Sequence, residues 1–163
     1  MICVSYEGKY KTMKLAEALQ ERADLNKRLE QLRSRLNSNA TVQEGERPAE
    51  EPTELLTETD ACLTCLGWLI AAINRTNSRS VVDGRSLTEW IAEKDVLTQK
   101  LSIYRSFLQS ASNLTWRASG REIKIRSTVN VRELQKQVDA MSKQLRETDN
   151  RLQQANWTTD LIL

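Results

Sequence analysis

Apolar residues recur in steps of three and four over four separate stretches of this chain, and that spacing is what most restricts its fold. Leu15, Ala18, Leu25, Leu29, Leu32 and Leu36 form one seam, and Leu56, Leu63, Leu66, Ile70 and Ile73 a second. Leu87, Trp90, Leu97, Leu101, Tyr104, Leu108 and Ala111 form a third, and Val131, Leu134, Val138, Met141, Leu145, Leu152 and Ala155 a fourth. A mean step of about 3.5 residues keeps each set on one face of an α-helix and favours seam-to-seam packing. The spacing predicts helices over about 14–36, 53–76, 87–112 and 131–156. Modest connections between helices of similar length predict an all-α, antiparallel four-helix bundle with coiled-coil-like packing.

Local signals mark where the helices begin. Pro52 suits a first helical turn, and Glu54 and Glu58 follow where the helix dipole favours anions. Ser86 with Glu89, and Asn130 with Glu133, have the spacing of N-terminal caps. Asp83-Gly84 is a tight-turn dipeptide. Between the third and fourth helices the helical period fails. Around Ser119-Gly120, Ile123 and Ile125 alternate with charges, which predicts a short β-hairpin arm over 114–129. Residues 1–12 do not share the pattern and are read as an N-terminal extension to a single helical domain, 13–163.

Composition excludes several classes. The 163 residues include only 5 glycines and 2 prolines, which suits helices and not a sandwich or barrel. A net charge of +2, with both signs interleaved, gives no field that asks for a nucleic-acid partner. No uninterrupted apolar run approaches the roughly 20 residues that span a bilayer, so no membrane partner is expected. The N-terminus lacks the pattern of a secretory leader, and three cysteines are an odd count; both predict a cytoplasmic protein. Cys62-x-x-Cys65 falls within a helix seam and has no second pair or histidine, which predicts two small helix-face thiols and no metal. With no histidine, phosphate loop or nucleophile elbow, the chain reads as non-enzymatic and without a cofactor.

The candidate site residues are the places where the seams fail. Arg22, Lys94 and Thr148 interrupt three seams, and Gly67 lies in the remaining helix. Counted from the helix ends, all four fall in one layer roughly 12 Å below one end of the bundle. Asp24, Asp95, Glu147 and Asp149 are close enough in sequence to neutralise the two cations, and an anionic ligand is the other way to satisfy them. Asn74-Arg75-Thr76-Asn77, with Arg85 and Trp157, forms a second candidate. Asn77 there reads as a helix C-cap. Arg75, Arg85 and Trp157 would present guanidinium forks and an aromatic plane, a pairing that suits phosphate plus base. A third candidate is Arg121 and Lys124 on the arm, beside Trp116 and Arg117, where the same charges would equally defend an exposed strand edge.

Met13-Lys14-Leu15-Ala16-Glu17-Ala18-Leu19, Gln43-Glu44-Gly45-Glu46, Ile73-Asn74-Arg75-Thr76-Asn77, Asp83-Gly84-Arg85, Ser127-Thr128-Val129 and Asn156-Trp157-Thr158-Thr159 resemble the small bacterial proteins labelled septicolysin. The resemblance covers 13–161 and implies a helical fold; its label implies a secreted cytolysin. From the residues themselves, the expected function is non-catalytic. A homo-oligomer binds and sequesters a small anionic, nucleotide-derived ligand, for instance a cyclic-nucleotide or ADP-ribose immune signal soaked up by a phage or bacterial protein. The alternative is a structural or adaptor coiled-coil protein that binds other protein chains.

Overall fold

A computed structural model describes residues 13–113 and 126–163. Four helices account for most of them: α1 (Leu15–Ser38), α2 (Pro52–Arg79), α3 (Leu87–Ser112) and α4 (Val131–Thr158). A two-stranded hairpin, β1 (Val81–Val82) and β2 (Arg85–Ser86), lies between α2 and α3. Asp83 and Gly84 at its tip both have positive φ, +52° and +80°. That geometry is the type I′ turn whose twist matches paired strands, and it explains the Asp-Gly sequence. The fold is all-α and bundle-like, as the seams require. Most of the arm expected over 114–129, like the extension 1–12, lies outside the described residues.

The N-terminal caps of α3 and α4 occur where the sequence puts them. The Ser86 hydroxyl accepts from the Glu89 N–H, and the Glu89 carboxylate accepts from the Ser86 N–H at 2.7 Å. Asn130 Oδ1 accepts from the N–H groups of Arg132 and Glu133. At the end of α1, Asn39 is buried; its amide donates to the Arg35 carbonyl and its Oδ1 accepts from the Glu50 N–H.

The chain divides into two compact units. One holds the residues up to Val82 together with Ala155–Leu163, the other Asp83–Gln154. In the first, α1 and α2 run antiparallel. Arg28 pairs with Glu58 at 2.6 Å, and Arg35 pairs with Glu50. Their core joins Leu32, Leu55 and Cys62, with Leu25, Leu29 and Leu36 packed around it. In the second, α3 and α4 are antiparallel, tied by Lys94 to Asp149 and by Arg105 to the Ser142 hydroxyl at 3.0 Å. Leu97, Leu101, Val138 and Met141 form the core there, flanked by Tyr104, Leu108 and Leu145.

Three seams are as expected, and the α2 seam is so only in Ile73, which is buried, and Leu66, which is half-buried. Leu56, Leu63 and Ile70 are exposed, whereas Leu55, Cys62, Cys65, Leu69, Ala72, Ile73 and Thr76 are buried. The inward face is one position earlier in the chain and includes Glu58, which the Arg28 pairing holds against α1. Cys62 is the buried free thiol expected, but Cys65 is disulfide-bonded, so the two do not pair with each other. A spacing of three puts both on one face and says nothing of what meets each sulfur. Among the described residues, α2 is long and apolar enough to cross a membrane by length and composition, although polar residues interrupt its apolar runs.

Candidate functional site

In the first unit, the end of the chain is held by hydrogen bonds to two earlier segments. Residues 159–162 run antiparallel to 13–15. The Leu15 N–H donates to the Thr159 carbonyl at 2.9 Å, and the Leu161 N–H to the Met13 carbonyl at 2.8 Å. Lys14 Nζ donates to Asp160 at 2.7 Å and to the Thr158 carbonyl at the C-terminal end of α4, where a cation suits the helix dipole. The fully buried Thr76 hydroxyl donates back to the Ala72 carbonyl and accepts from the Ile162 N–H at 2.8 Å. The hydroxyl thus gives the Ile162 N–H of the tail a buried partner on α2. Arg75 Nη1 reaches the Ile162 carbonyl at 3.5 Å.

That arrangement corrects the sequence reading of 74–77. Helix α2 continues to Arg79 and is capped at Ser80, so Asn77 is a half-buried helical residue and not a left-handed C-cap. Thr76, at the centre of the motif, anchors the tail. Nothing in the one-dimensional pattern distinguished its hydroxyl from the surrounding donors, because the tail that it holds is more than eighty residues away.

In the second unit, Arg85 has satisfied contacts. Its Nη1 donates to Glu93 at 2.5 Å, and its guanidinium lies 4.4 Å from the centroid of the Trp90 ring. Arg151 approaches the same indole at 5.1 Å and pairs loosely with Asp83 at 3.9 Å. Gln144 donates to the other oxygen of Glu93 at 3.2 Å. The aromatic partner of Arg85 is thus Trp90 and not Trp157, which is 64% exposed in the last turn of α4 in the first unit. The sequence pairs Arg85 with Trp157 as groups offered to a ligand, whereas in the fold Arg85 stacks on Trp90, a residue of the α3 seam. Arg151 had no signal at all.

These pairings shift the acids. The hydrogen bond from Arg85 holds the Glu93 carboxyl below its ordinary range, helped by the Arg85 and Arg151 charges and opposed by partial desolvation. Glu89 is lowered by the Ser86 backbone N–H and then by the Ser86 hydroxyl. A carboxyl whose folded pKa is depressed stabilises the fold fully above its unfolded value, and that contribution is lost as pH falls through the folded value. Melting followed from neutral pH into the acid side of the carboxylate range should therefore decline more steeply for wild type than for Glu93→Gln. Parallel curves would show that Glu93 lends no pH-dependent stability.

Five cations are half-buried among the described residues: Lys14, Arg22, Arg75, Arg85 and Lys94. Three are neutralised, by Asp160, Glu93 and Asp149 respectively. The pairing of Lys94 with Asp149 gives it the internal partner that the sequence allowed. Thr148, which precedes Asp149, is 3% exposed in the α4 seam. Arg22 and Arg75 have no carboxylate partner among the described residues, and both belong to the first unit. Arg22 and Gly67 are in that unit, and Lys94 and Thr148 in the other. Arg121 and Lys124 lie outside the described residues. The second unit also has a groove of about 490 Å³, lined mainly by Ile103, Tyr104, Phe107, Asn130, Glu133 and Leu134.

Comparison with known proteins adds the following. No curated protein matches. A solved structure, described as that of a functionally unknown conserved protein from Corynebacterium diphtheriae, is 36% identical with a TM-score of 0.87, covering 93% of this chain and all of that one. The model of a family of unknown function, DUF6847, matches residues 22–161, and the chain belongs to that family.

Proposed function

We propose that the protein is a non-catalytic homo-oligomer that binds and sequesters a small anionic, nucleotide-derived ligand through its first unit. The observation that supports this most is the pair of half-buried guanidinium groups, Arg22 and Arg75, left without a carboxylate among the described residues. A cation partly removed from water is stabilised by a charged partner, and a phosphate offers a guanidinium fork two parallel acceptors. Asn77 and the exposed Trp157 belong to the same unit and add an amide and a stacking plane. Arg85 and Lys94 drop out of this reading, because acids already neutralise them.

Adding cyclic nucleotides and ADP-ribose derivatives singly to the purified chain tests the proposal. A ligand at about 100 times its Kd stabilises the folded form by about 2.7 kcal/mol, which raises the melting temperature of a chain this size by roughly 5–10 °C. The shift should vanish in Arg75→Ala while circular dichroism shows the helices intact. Absence of any shift across the panel, or an unchanged shift in Arg75→Ala, would overturn it. A second reading, an adaptor for other protein chains, is favoured by the apolar groove and the exposed Val96, Ile103 and Phe107 of α3. It expects a co-purifying protein and indifference to nucleotides.

A further inference from the structure

Among the described residues, helix α2 has a second face that is uncovered. Leu56, Leu63 and Ile70 are 51%, 50% and 38% exposed, and Asp60, Thr64, Gly67, Ala71 and Asn74 beside them are exposed too. At about 100° per residue, all eight lie within about 60° of the direction in which Gly67 faces. Gly67 itself is unexplained by its own chain. It sits mid-helix without positive φ, and a Cβ added there would meet nothing within 4 Å. Glycine at such a position weakens a helix, so its presence is accounted for when another backbone approaches closely there.

We propose that a second copy of this chain docks on this face, its α2 antiparallel to the first, with Gly67 at the two-fold axis. The residues on either side of Gly67 show why the occupant is another copy. In that register, positions equally spaced before and after Gly67 reach the same height across the interface, and each residue keeps its flank of the seam. Leu63 therefore packs beside Ile70 of the other copy on one flank and Thr64 beside Ala71 on the other. Apolar side chains meet along one edge and small ones along the other. Asp60 faces Asn74, a carboxylate against an amide donor. Each contact occurs twice, as a two-fold interface demands. Charge selects the same arrangement. The face carries one formal charge, Asp60, and a parallel pairing would bring the two Asp60 residues together. The antiparallel one sets them roughly 20 Å apart along the helices, beyond the screening length of about 8 Å at physiological salt. The contact is about 27 Å long and one helix wide, which puts it at the small end of specific interfaces and predicts reversible association.

This deepens the homo-oligomer part of the reading above and is tested separately from ligand binding. Sedimentation velocity over a concentration series should show wild type passing from monomer to dimer. Gly67→Leu should remain monomeric while melting no lower than wild type, because the added side chain has room in its own chain and blocks only the partner. In a second measurement, Gly67→Cys oxidised with diamide should give a disulfide-linked dimer on a non-reducing gel, above any background from the native thiols. Leu56→Cys should not, since the two copies of residue 56 would be separated by roughly 33 Å, far beyond disulfide reach. Dimerisation of Gly67→Leu as strong as wild type, or cross-linking at 56 as ready as at 67, would overturn this surface and leave the ligand reading intact. A wild type monomeric at all concentrations would overturn both this surface and the homo-oligomer, while the melting shift with nucleotides would still decide ligand binding.

Discussion

Trp90→Ala should lower the melting temperature of this protein by roughly 6–20 °C, the largest effect expected of a single substitution in the second unit. The indole is only 6% exposed, in the α3 seam between Leu87 and Leu97. Truncating a buried tryptophan to alanine typically costs about 3–5 kcal/mol, from lost burial and from the cavity left behind. For a chain of this length, each kcal/mol corresponds to about 2–4 °C. Two guanidinium groups, of Arg85 and Arg151, also lose the ring face against which they lie. Trp90→Phe should recover much of the loss by retaining an aromatic plane in the seam, and Arg151→Ala should cost about 1 kcal/mol or less. A Trp90→Ala protein that melts within about 2 °C of wild type would refute the packing assigned to this residue.

The second large effect concerns two neighbouring leucines of α2. Leu55 is 3% exposed and packs with Leu32 and Cys62, whereas Leu56 is 51% exposed. Leu55→Ala should therefore destabilise by about 2–5 kcal/mol, the range for a buried leucine. Leu56→Ala should stay within about 1 kcal/mol, because a half-exposed side chain leaves no cavity and loses only part of its burial. Chemical denaturation of the two variants side by side, at a concentration where wild type is monomeric, measures the difference directly. Equal costs, or a larger cost at Leu56, would mean that α2 faces α1 in the register of Leu56, Leu63 and Ile70.

That comparison also shows how far the sequence could be read. The spacing of leucine, valine and isoleucine in α1, α3 and α4 specified three seams that the fold buries, because each of those helices has one strongly apolar stripe. Helix α2 has two, one position apart. The exposed stripe carries Leu56, Leu63 and Ile70 at steps of seven, and the buried one carries Leu55, Cys62, Leu69 and Thr76 at the same steps. The stripe that is buried contains Glu58, Cys62, Cys65, Ala72 and Thr76 among its members. Residue hydrophobicity ranks these below leucine, yet their small size admits close packing, and Glu58 has Arg28 as its partner. Pairings across helices made that choice, and such pairings are not encoded in the periodicity of one helix.

The candidate sites divide in the same way. Half-burial of Arg22 and Lys94 was legible, because a cation that interrupts a seam must lie near the core of its helix pair. Arg75 reads from sequence only as one of several donors at a helix end. Whether each found an acid was not, since Asp24, Asp95, Glu147 and Asp149 were all within reach by spacing alone. The fold gives Lys94 to Asp149 and Arg85 to Glu93, and it leaves Arg22 and Arg75 without a carboxylate among the described residues. Thr76 was hidden for a different reason: its partner, the Ile162 N–H, lies in a tail that only the folded chain returns to α2. The sequence by itself determined the helices, the N-terminal caps of α3 and α4, the Asp-Gly turn and three of four inward faces, all of which follow from contacts within a few residues. Only the tertiary structure decided the inward face of α2, the partner of each buried charge and the anchoring of the tail. Each of these depends on groups far apart in the chain, where several pairings satisfy the local pattern equally well.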